Sequence, residues 1–249
     1  MKTEWDYTDL AEAYLKRPDY AMDAIEEMLQ LTGVQKGDRV CDVGAGAAHL
    51  TRVLAQKGYS VNAVEPNDAM RSNGIQRTSE FTNVVWSEGV GEDTGMDAGV
   101  FSLVTFGSSF NVCDRPLALK ETKRILKVGG WFACMWNHRD LEDPLQMKIE
   151  QIFKDNIDNY SYGTRREDQT DIINESDLFG EVHYIEGTVR HRMLAEDFIE
   201  GWKSHGTVYR QSPDKFDLLN AKIRETVEEL DNEYIEVPYK TRIWAAQAK

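Results

Sequence analysis

Arg39-Val40-Cys41-Asp42-Val43-Gly44-Ala45-Gly46-Ala47-Ala48-His49 is the stretch that decides the fold. Its first five residues read as a short, largely apolar strand. Glycines at 44 and 46 then interrupt the chain. Residues 47–57 follow as a helix with Leu50, Val53 and Leu54 on one face, and Gly58 ends it as a C-terminal glycine does. A strand feeding a helix through a glycine-rich turn is the unit from which parallel sheets are built. The glycines let the backbone turn tightly and let a ligand approach the main chain closely. Free amides at the helix start favour an anionic or polar ligand group.

The alternation continues downstream. Ser60 to Glu65 is a second strand, and Pro66-Asn67-Asp68 starts another helix. Asn83 to Trp86 and Phe101 to Phe106 are the third and fourth strands. Pro116 to Leu126 is helical, and Gly129-Gly130 turns into a fifth strand, Trp131 to Trp136. This order predicts an α/β fold with a doubly wound, mostly parallel sheet covered on both faces. Upstream, residues 8–31 read as two helices broken before Pro18, because the residue preceding proline is pushed out of helical conformation. Downstream, a helix runs from Asp143-Pro144 to about residue 158, followed by a polar stretch from Tyr160 to Thr170. Val182 to Arg190 alternates like a strand, Ala195 to Lys203 and Pro213 to Leu230 read as helices, and Val237 to Ala246 as the last strand. The expected organisation is one domain over 1–249, with a helical lid at 1–35 and a ligand-binding core at 36–138. A cap with the sixth strand occupies 139–235, and the last strand 236–249.

Composition narrows the function. The 249 residues are 41% hydrophobic, enough for a sizeable core, and the 43 acidic residues exceed the 29 basic ones to leave a net charge of −14. Such a surface repels phosphate backbones and anionic lipid, so nucleic acid and membrane are disfavoured and a small molecule is the expected partner. No apolar run is long enough to span a bilayer. The opening residues Met1 to Asp6 are polar and lack the apolar segment of a secretory leader. Cys41, Cys113 and Cys134 are widely spaced, beside apolar segments and without a C-x-x-C pair, so reduced thiols, no metal and a cytoplasmic location are expected. Monomer and homodimer both stay open. The acidic run Glu225 to Glu236 reads as a solvated helix end.

Two readings compete for the glycine turn. A dinucleotide fingerprint needs a third glycine at position 49, which is His49. The alternative is an acidic residue followed by spaced glycines and a small residue: Asp42, Gly44, Gly46, Ala48. A carboxylate there suits a ligand carrying an ammonium group and repels a pyrophosphate. Glu65 ends the next strand at the interval, about 20 residues on, where an acid accepts both hydroxyls of an adenosine ribose.

With these pieces in place the chain resembles the class I S-adenosylmethionine-dependent methyltransferases. It is similar to the ubiquinone/menaquinone-biosynthesis enzymes and many small-molecule methyltransferases. Residues 39–48 resemble the glycine loop, and Val64-Glu65-Pro66-Asn67-Asp68-Ala69-Met70 the ribose loop. Ser87-Glu88-Gly89-Val90-Gly91-Glu92-Asp93 resembles the loop that holds the adenine, and Phe101 to Phe110 the fourth strand with its cofactor-facing loop. Ala118 to Gly130 resembles the helix and Gly-Gly turn before strand five, and Val237 to Trp244 the last strand. Four positions depart from the family pattern. Ala48 replaces a third glycine, Ser102 an aspartate, Asn111 a histidine that could have served as base, and Val128 a proline.

The resemblance implies a seven-stranded sheet with an N-terminal helical lid and an α-helical cap insertion. It implies direct displacement of the methyl group of S-adenosylmethionine by a small-molecule acceptor, leaving S-adenosylhomocysteine. The cofactor-binding residues it implies are Tyr14 and Arg17 of the lid; Asp42, Gly44, Ala45 and Gly46; Glu65, Pro66 and Met70; Gly91 and Glu92; and Phe106 and Ser108. Methyl transfer is largely a positioning task, and a base is needed when the acceptor is a hydroxyl or an acidic carbon. His138, just past strand five at the sheet's ligand-binding edge, is the expected catalytic residue. His183, His191, His205, Tyr160 and Tyr162 are further candidates, and Phe110, Trp136 and Trp202 either wall an acceptor pocket or fill the core. A tRNA or protein methyltransferase, a nicotinamide-dinucleotide-binding protein and a non-catalytic partner subunit are the rival readings.

Overall fold

The computed structural model describes residues 6–249; the leader-free reading of residues 1–5 lies outside the described residues. Seven strands form one sheet: β1 Arg39–Val43, β2 Ser60–Val64, β3 Val84–Ser87, β4 Phe101–Gly107, β5 Leu126–Arg139, β6 Phe179–Leu194 and β7 Tyr234–Ala248. Their order is β3-β2-β1-β4-β5-β7-β6. β1 pairs in parallel with both β2 and β4, so Asp42 lies beside Ala63 on one side and Thr105 on the other. The sheet is therefore doubly wound and mostly parallel; only β7 runs against its neighbours β5 and β6. The strand order reverses between β1 and β4, and open α/β sheets bind ligands outside the carboxyl ends of the strands at such a switch.

Helices cover both faces. α1 (Ala11–Tyr14), α2 (Met22–Thr32), α3 (His49–Gln56), α4 (Asp68–Arg77) and α5 (Arg115–Ile125) accompany the first strands. On one face, Ile25 and Met28 of α2 and Leu54 of α3 pack on Val40, Leu103, Met135 and Ile243. On the other, Leu119 and Ile125 of α5 pack on Cys41, Val104, Phe132 and Trp244. Cys41 and Cys134 are buried in that second layer, as their apolar surroundings predict. Side-chain oxygens start three of the helices: Asn67 accepts from the Met70 amide, Asp114 from Leu117, and Asp143 from Leu145 and Gln146. Proline stands in the first turn after both Asp114 and Asp143, where its missing N–H costs nothing.

The cap adds α6 (Pro144–Asn156), α7 (Thr170–Glu175), α8 (Ala195–Trp202), α9 (Gly206–Gln211) and α10 (Phe216–Glu228). It has its own apolar centre, in which Ile149 and Phe153 meet Phe198, Trp202, Leu219 and Val237. Two details differ from expectation. α7 and α9 are helices within stretches whose polar composition hides them; each has six residues, too few to show a helical period. β6 and β7 extend well beyond the expected spans, pairing as far as Leu194 with Tyr234. Only one face of that arm is covered, so its polar residues mimic loop composition. Among the described residues no helix is long and apolar enough to cross a membrane.

Candidate active site

The carboxyl ends of β1, β2, β4 and β5 open into two joined clefts that share Tyr14, Gly44, Gly46, Gly107 and Ser108. They enclose about 730 and 710 Å³, open solvent at their mouths included. The glycine turn separates them and shapes both. Gly44 and Gly46 hold φ of +66° and +55°. A Cβ on Gly44 would stand 2.4 Å from that of Ser109, so backbone conformation and close packing both require glycine here. Ala48 also adopts a left-handed conformation, with φ of +67°, at a cost of roughly 1 kcal/mol. That is why a glycine suits the position.

Asp42 forms the floor of the first cleft. Its carboxylate is buried and accepts from the hydroxyls of Thr51 (2.6 Å) and Thr105 (2.9 Å). Burial outweighs these two donors and pushes its pKa up to about 6. Glu65 stands in the second cleft, just past the end of β2. One oxygen accepts the Gly46 amide and the other the Asn67 amide, both at 2.9 Å. Burial raises its pKa despite these bonds. Beyond Glu65 the second cleft is walled by Val90, Gly91, Glu92, Val112 and Cys113. A Cβ on Gly91 would meet Cys113 Sγ at 2.5 Å and the Phe106 ring at 3.4 Å. Phe106 therefore backs this wall from the core and lines neither cleft.

The lid is fastened from several sides. Arg17 lies 4.1 Å over the Tyr14 ring and donates to the Ser204 hydroxyl and carbonyl of the cap (2.8 and 2.7 Å). The Tyr20 hydroxyl is 3.0 Å from that of Ser108. Asn137 of β5 donates to the carbonyls of Pro18 and Asp19. His49, the residue that breaks the dinucleotide fingerprint, has Nδ1 at 2.9 Å from the Asp19 carboxylate and its other nitrogen 3.2 Å from the Arg77 guanidinium. It joins the lid to α3.

Of the residues expected at the site, Tyr14, Arg17, Asp42, Gly44, Ala45, Gly46, Glu65, Pro66, Met70, Gly91, Glu92 and Ser108 all line the clefts. His138 does not. Side chains alternate along β5: Asn137 and Arg139 face the first cleft, whereas His138 shares the opposite face with Trp136 and Cys134. Both its ring nitrogens are buried without a partner. Burial, reinforced by Arg166 and Arg165, pulls its pKa down to about 2. So placed, it cannot take a proton from an acceptor in the cleft. The expectation that His138 is the catalytic residue is corrected accordingly.

Several lining residues escaped the sequence reading. Arg139 stands one position from His138, and the two-residue period of a strand would have found it. Arg165 lies in the polar stretch between α6 and α7, and no sequence signal marks it. His205 was one of several candidates and is the one the structure brings to the first cleft. It stacks on Trp202 with ring centroids 4.1 Å apart. Burial and the charges of Arg17, Arg139 and Arg165 push its pKa well below the ordinary histidine value, so it is neutral at pH 7. Among the described residues no group of three His, Cys, Asp or Glu side chains is placed to hold a metal ion.

Comparison with known proteins agrees with this geometry. The family described as "Methyltransferase domain" matches residues 41–134. An uncharacterized methyltransferase of Schizosaccharomyces pombe is 29% identical over 148 residues, 59% of this chain and 58% of that protein. The demethylmenaquinone methyltransferase of Staphylococcus epidermidis is 32% identical over 133 residues, 51% of this chain and 53% of its own. The chain thus spans about half the length of the curated relatives it matches. Among solved structures, the YcgJ protein of Bacillus subtilis superposes with a TM-score of 0.58 at 15% identity, covering 92% of this chain and 99% of that one. The shared fold is that of the class I methyltransferases.

Proposed function

We propose, proceeding from a methyltransferase domain at residues 41–134, that the protein transfers a methyl group from S-adenosylmethionine to a small-molecule acceptor. One observation carries the reading. Two buried carboxylates, Asp42 and Glu65, end neighbouring strands on either side of the glycine turn and face joined clefts. That arrangement fits a ligand with an ammonium group at one end and a ribose diol at the other. Asp42 would take the ammonium, Arg17 of the lid the methionine carboxylate, and Glu65 the ribose hydroxyls. Gly91, Glu92, Val112 and Cys113 would enclose the adenine. When bound, S-adenosylmethionine supplies an electrophilic methyl group. The chain's part is then to orient the acceptor in the first cleft, to exclude water under the fastened lid, and to hold a proton acceptor there. His205 is the residue assigned to that last task, since it lines the cleft and makes no side-chain hydrogen bond among the described residues.

The test is calorimetric titration with S-adenosylhomocysteine, beside a metabolite screen with labelled S-adenosylmethionine. Glu65→Gln keeps the shape but turns an NH2 group toward a backbone amide and loses the charge. Hydrogen bonds to a charged group are worth about 1.5–3 kcal/mol each, so losing two should weaken binding by roughly 100-fold or more. Wild-type affinity in that variant, or no binding by the wild type, would overturn the reading.

A further inference from the structure

The first cleft carries more positive charge than a bound cofactor can use. Arg17, Arg139 and Arg165 all line it, against one lining carboxylate, Asp42. This concentration occurs in a chain whose net charge is −14. Two of the three guanidinium groups are anchored by their surroundings. Arg17 is held by Ser204 and the Tyr14 ring. Arg139 donates to Gln146 (3.1 Å), faces the buried Glu150 carboxylate at 3.5 Å and lies 4.5 Å over the Trp202 ring. Arg165 has neither a carboxylate nor a carbonyl within reach among the described residues. Its Nε is buried without a partner, and the Tyr162 ring lies 5.8 Å away. Desolvation and the neighbouring Arg17, Arg139 and Arg166 bring its pKa down to about 10, which still leaves it charged at neutral pH. A half-buried, unpaired cation is costly, and such groups are normally paired.

We propose that Arg165, supported by Arg139, binds an oxyanionic group of the methyl acceptor, a carboxylate or a phosphate. The inference rests on the methyltransferase reading and names the substrate class of the same site. The charge balance leads there. The methionine end of the cofactor brings one ammonium, answered by Asp42, and one carboxylate, answered by Arg17. Its sulfonium adds a further positive charge to the cleft. Arg165 is then left facing that sulfonium with no unanswered anion, and only the acceptor can supply one. A guanidinium is the side chain suited to the task, since its planar fork matches carboxylate and phosphate oxygens in pairs. His205 lines the same cleft and shares its electrostatic surroundings with Arg165. An acceptor held by its anion there would lie with its nucleophile beside a neutral base.

The experiment is calorimetry on the intact 249-residue chain saturated with S-adenosylhomocysteine, at low ionic strength. The probes are citrate, glutarate, benzoate, glycerol phosphate and the neutral amide counterparts of the carboxylates. The expected result is that at least one oxyanion binds and that its neutral counterpart binds about tenfold more weakly or not at all. Arg165→Gln should weaken that oxyanion by about tenfold or more, while S-adenosylhomocysteine affinity stays within about twofold. Arg165→Lys, which keeps the charge, should recover part of the loss and controls for folding. A carboxylate response without a phosphate response, or the reverse, identifies which oxyanion the site takes. Three results would overturn the proposal: no oxyanion binds the loaded protein, Arg165→Gln binds them as the wild type does, or that variant loses S-adenosylhomocysteine instead. Failure of the wild type to bind S-adenosylhomocysteine at all would be the separate failure of the methyltransferase reading.

Discussion

The role proposed for Asp42 predicts a calculable dependence of cofactor binding on pH. Its carboxyl titrates at about 6 in the free protein because burial outweighs the hydroxyls of Thr51 and Thr105. An ammonium group binds the ionised form, so affinity should be full above pH 7 and fall as pH drops through 6. The ionised fraction is about one half at pH 6 and about one tenth at pH 5, so the dissociation constant should rise roughly tenfold between pH 7 and pH 5. Glu65, whose pKa is also raised by burial, adds to the fall in the same direction. His205 and His138 have depressed values and stay neutral over much of this window, so they do not oppose it. The assay is titration with S-adenosylhomocysteine at pH 5, 6, 7 and 8 at constant ionic strength.

Asp42→Asn separates binding from folding. A folded-state pKa above the unfolded value means that the ionised group destabilises the fold above pH 6, and that this cost vanishes below the unfolded value. A rise from the ordinary 3.8 to about 6 corresponds to about 3 kcal/mol at pH 8. An asparagine carries no such cost. Its oxygen can accept from Thr51, and its NH2 can donate to Thr105, whose hydroxyl already lies 3.4 Å from the Cys41 carbonyl. The variant should therefore be more stable than the wild type at pH 8, bind S-adenosylhomocysteine weakly, and lose most of the pH dependence. A dissociation constant that stays flat from pH 8 to pH 5, or a variant that keeps the wild-type slope, would refute the role given to Asp42.

Two further variants test the histidines. His205→Gln should lower the rate of labelled methyl transfer by about 100-fold or more, the contribution of a general base, with S-adenosylhomocysteine affinity unchanged; an unaltered rate removes His205 from the chemistry. His138→Leu should leave transfer intact and raise the unfolding midpoint, since two unpaired ring nitrogens are exchanged for an apolar side chain at a gain of about 1 kcal/mol. In the wild type, unfolded His138 takes up a proton below pH 6.5 whereas the folded protein does not until about 2. His138 therefore stabilises least in acid, with a slope of about 1.4 kcal/mol per pH unit. The leucine variant should show a correspondingly shallower loss of stability, measured by urea unfolding from pH 7 to pH 5.

What the sequence disclosed follows from how local each signal is. β1, its glycine turn and α3 form one contiguous segment, and Asp42 and Glu65 sit at fixed positions in successive strands. Backbone geometry alone therefore carries both into the clefts. The short helices α7 and α9 left no period to read. Position along the chain points to His138, but a shift of one residue in a strand changes the face, and Asn137 and Arg139 meet the cleft instead. Arg165 reaches the cleft only through the folding of the cap, and nothing in its neighbours along the chain encodes that approach. Ala48 illustrates the converse: its departure from glycine was visible, but the left-handed backbone that gives the departure its cost was not.

The acids and the guanidinium groups around the clefts also come from different parts of the fold, and this separates their tasks. The carboxylates Asp42 and Glu65 come from the strand ends of the core, whereas Arg139 and Arg165 come from the far end of β5 and the cap. On the proposed reading, a cofactor that carries a net positive charge would be met by fixed acids on a rigid sheet. On the same reading the acceptor would be met by Arg165 and Arg139, the latter held by Gln146, Glu150 and Trp202 of the cap. Altering the cap can thus change the acceptor without disturbing cofactor binding, because the carboxylates take none of their hydrogen bonds from it. Arg17 is the exception, since it is fastened to Ser204 of the cap while facing the cofactor end. Through it, a substitution at Ser204 should loosen the lid and weaken cofactor binding, although Ser204 itself lines neither cleft.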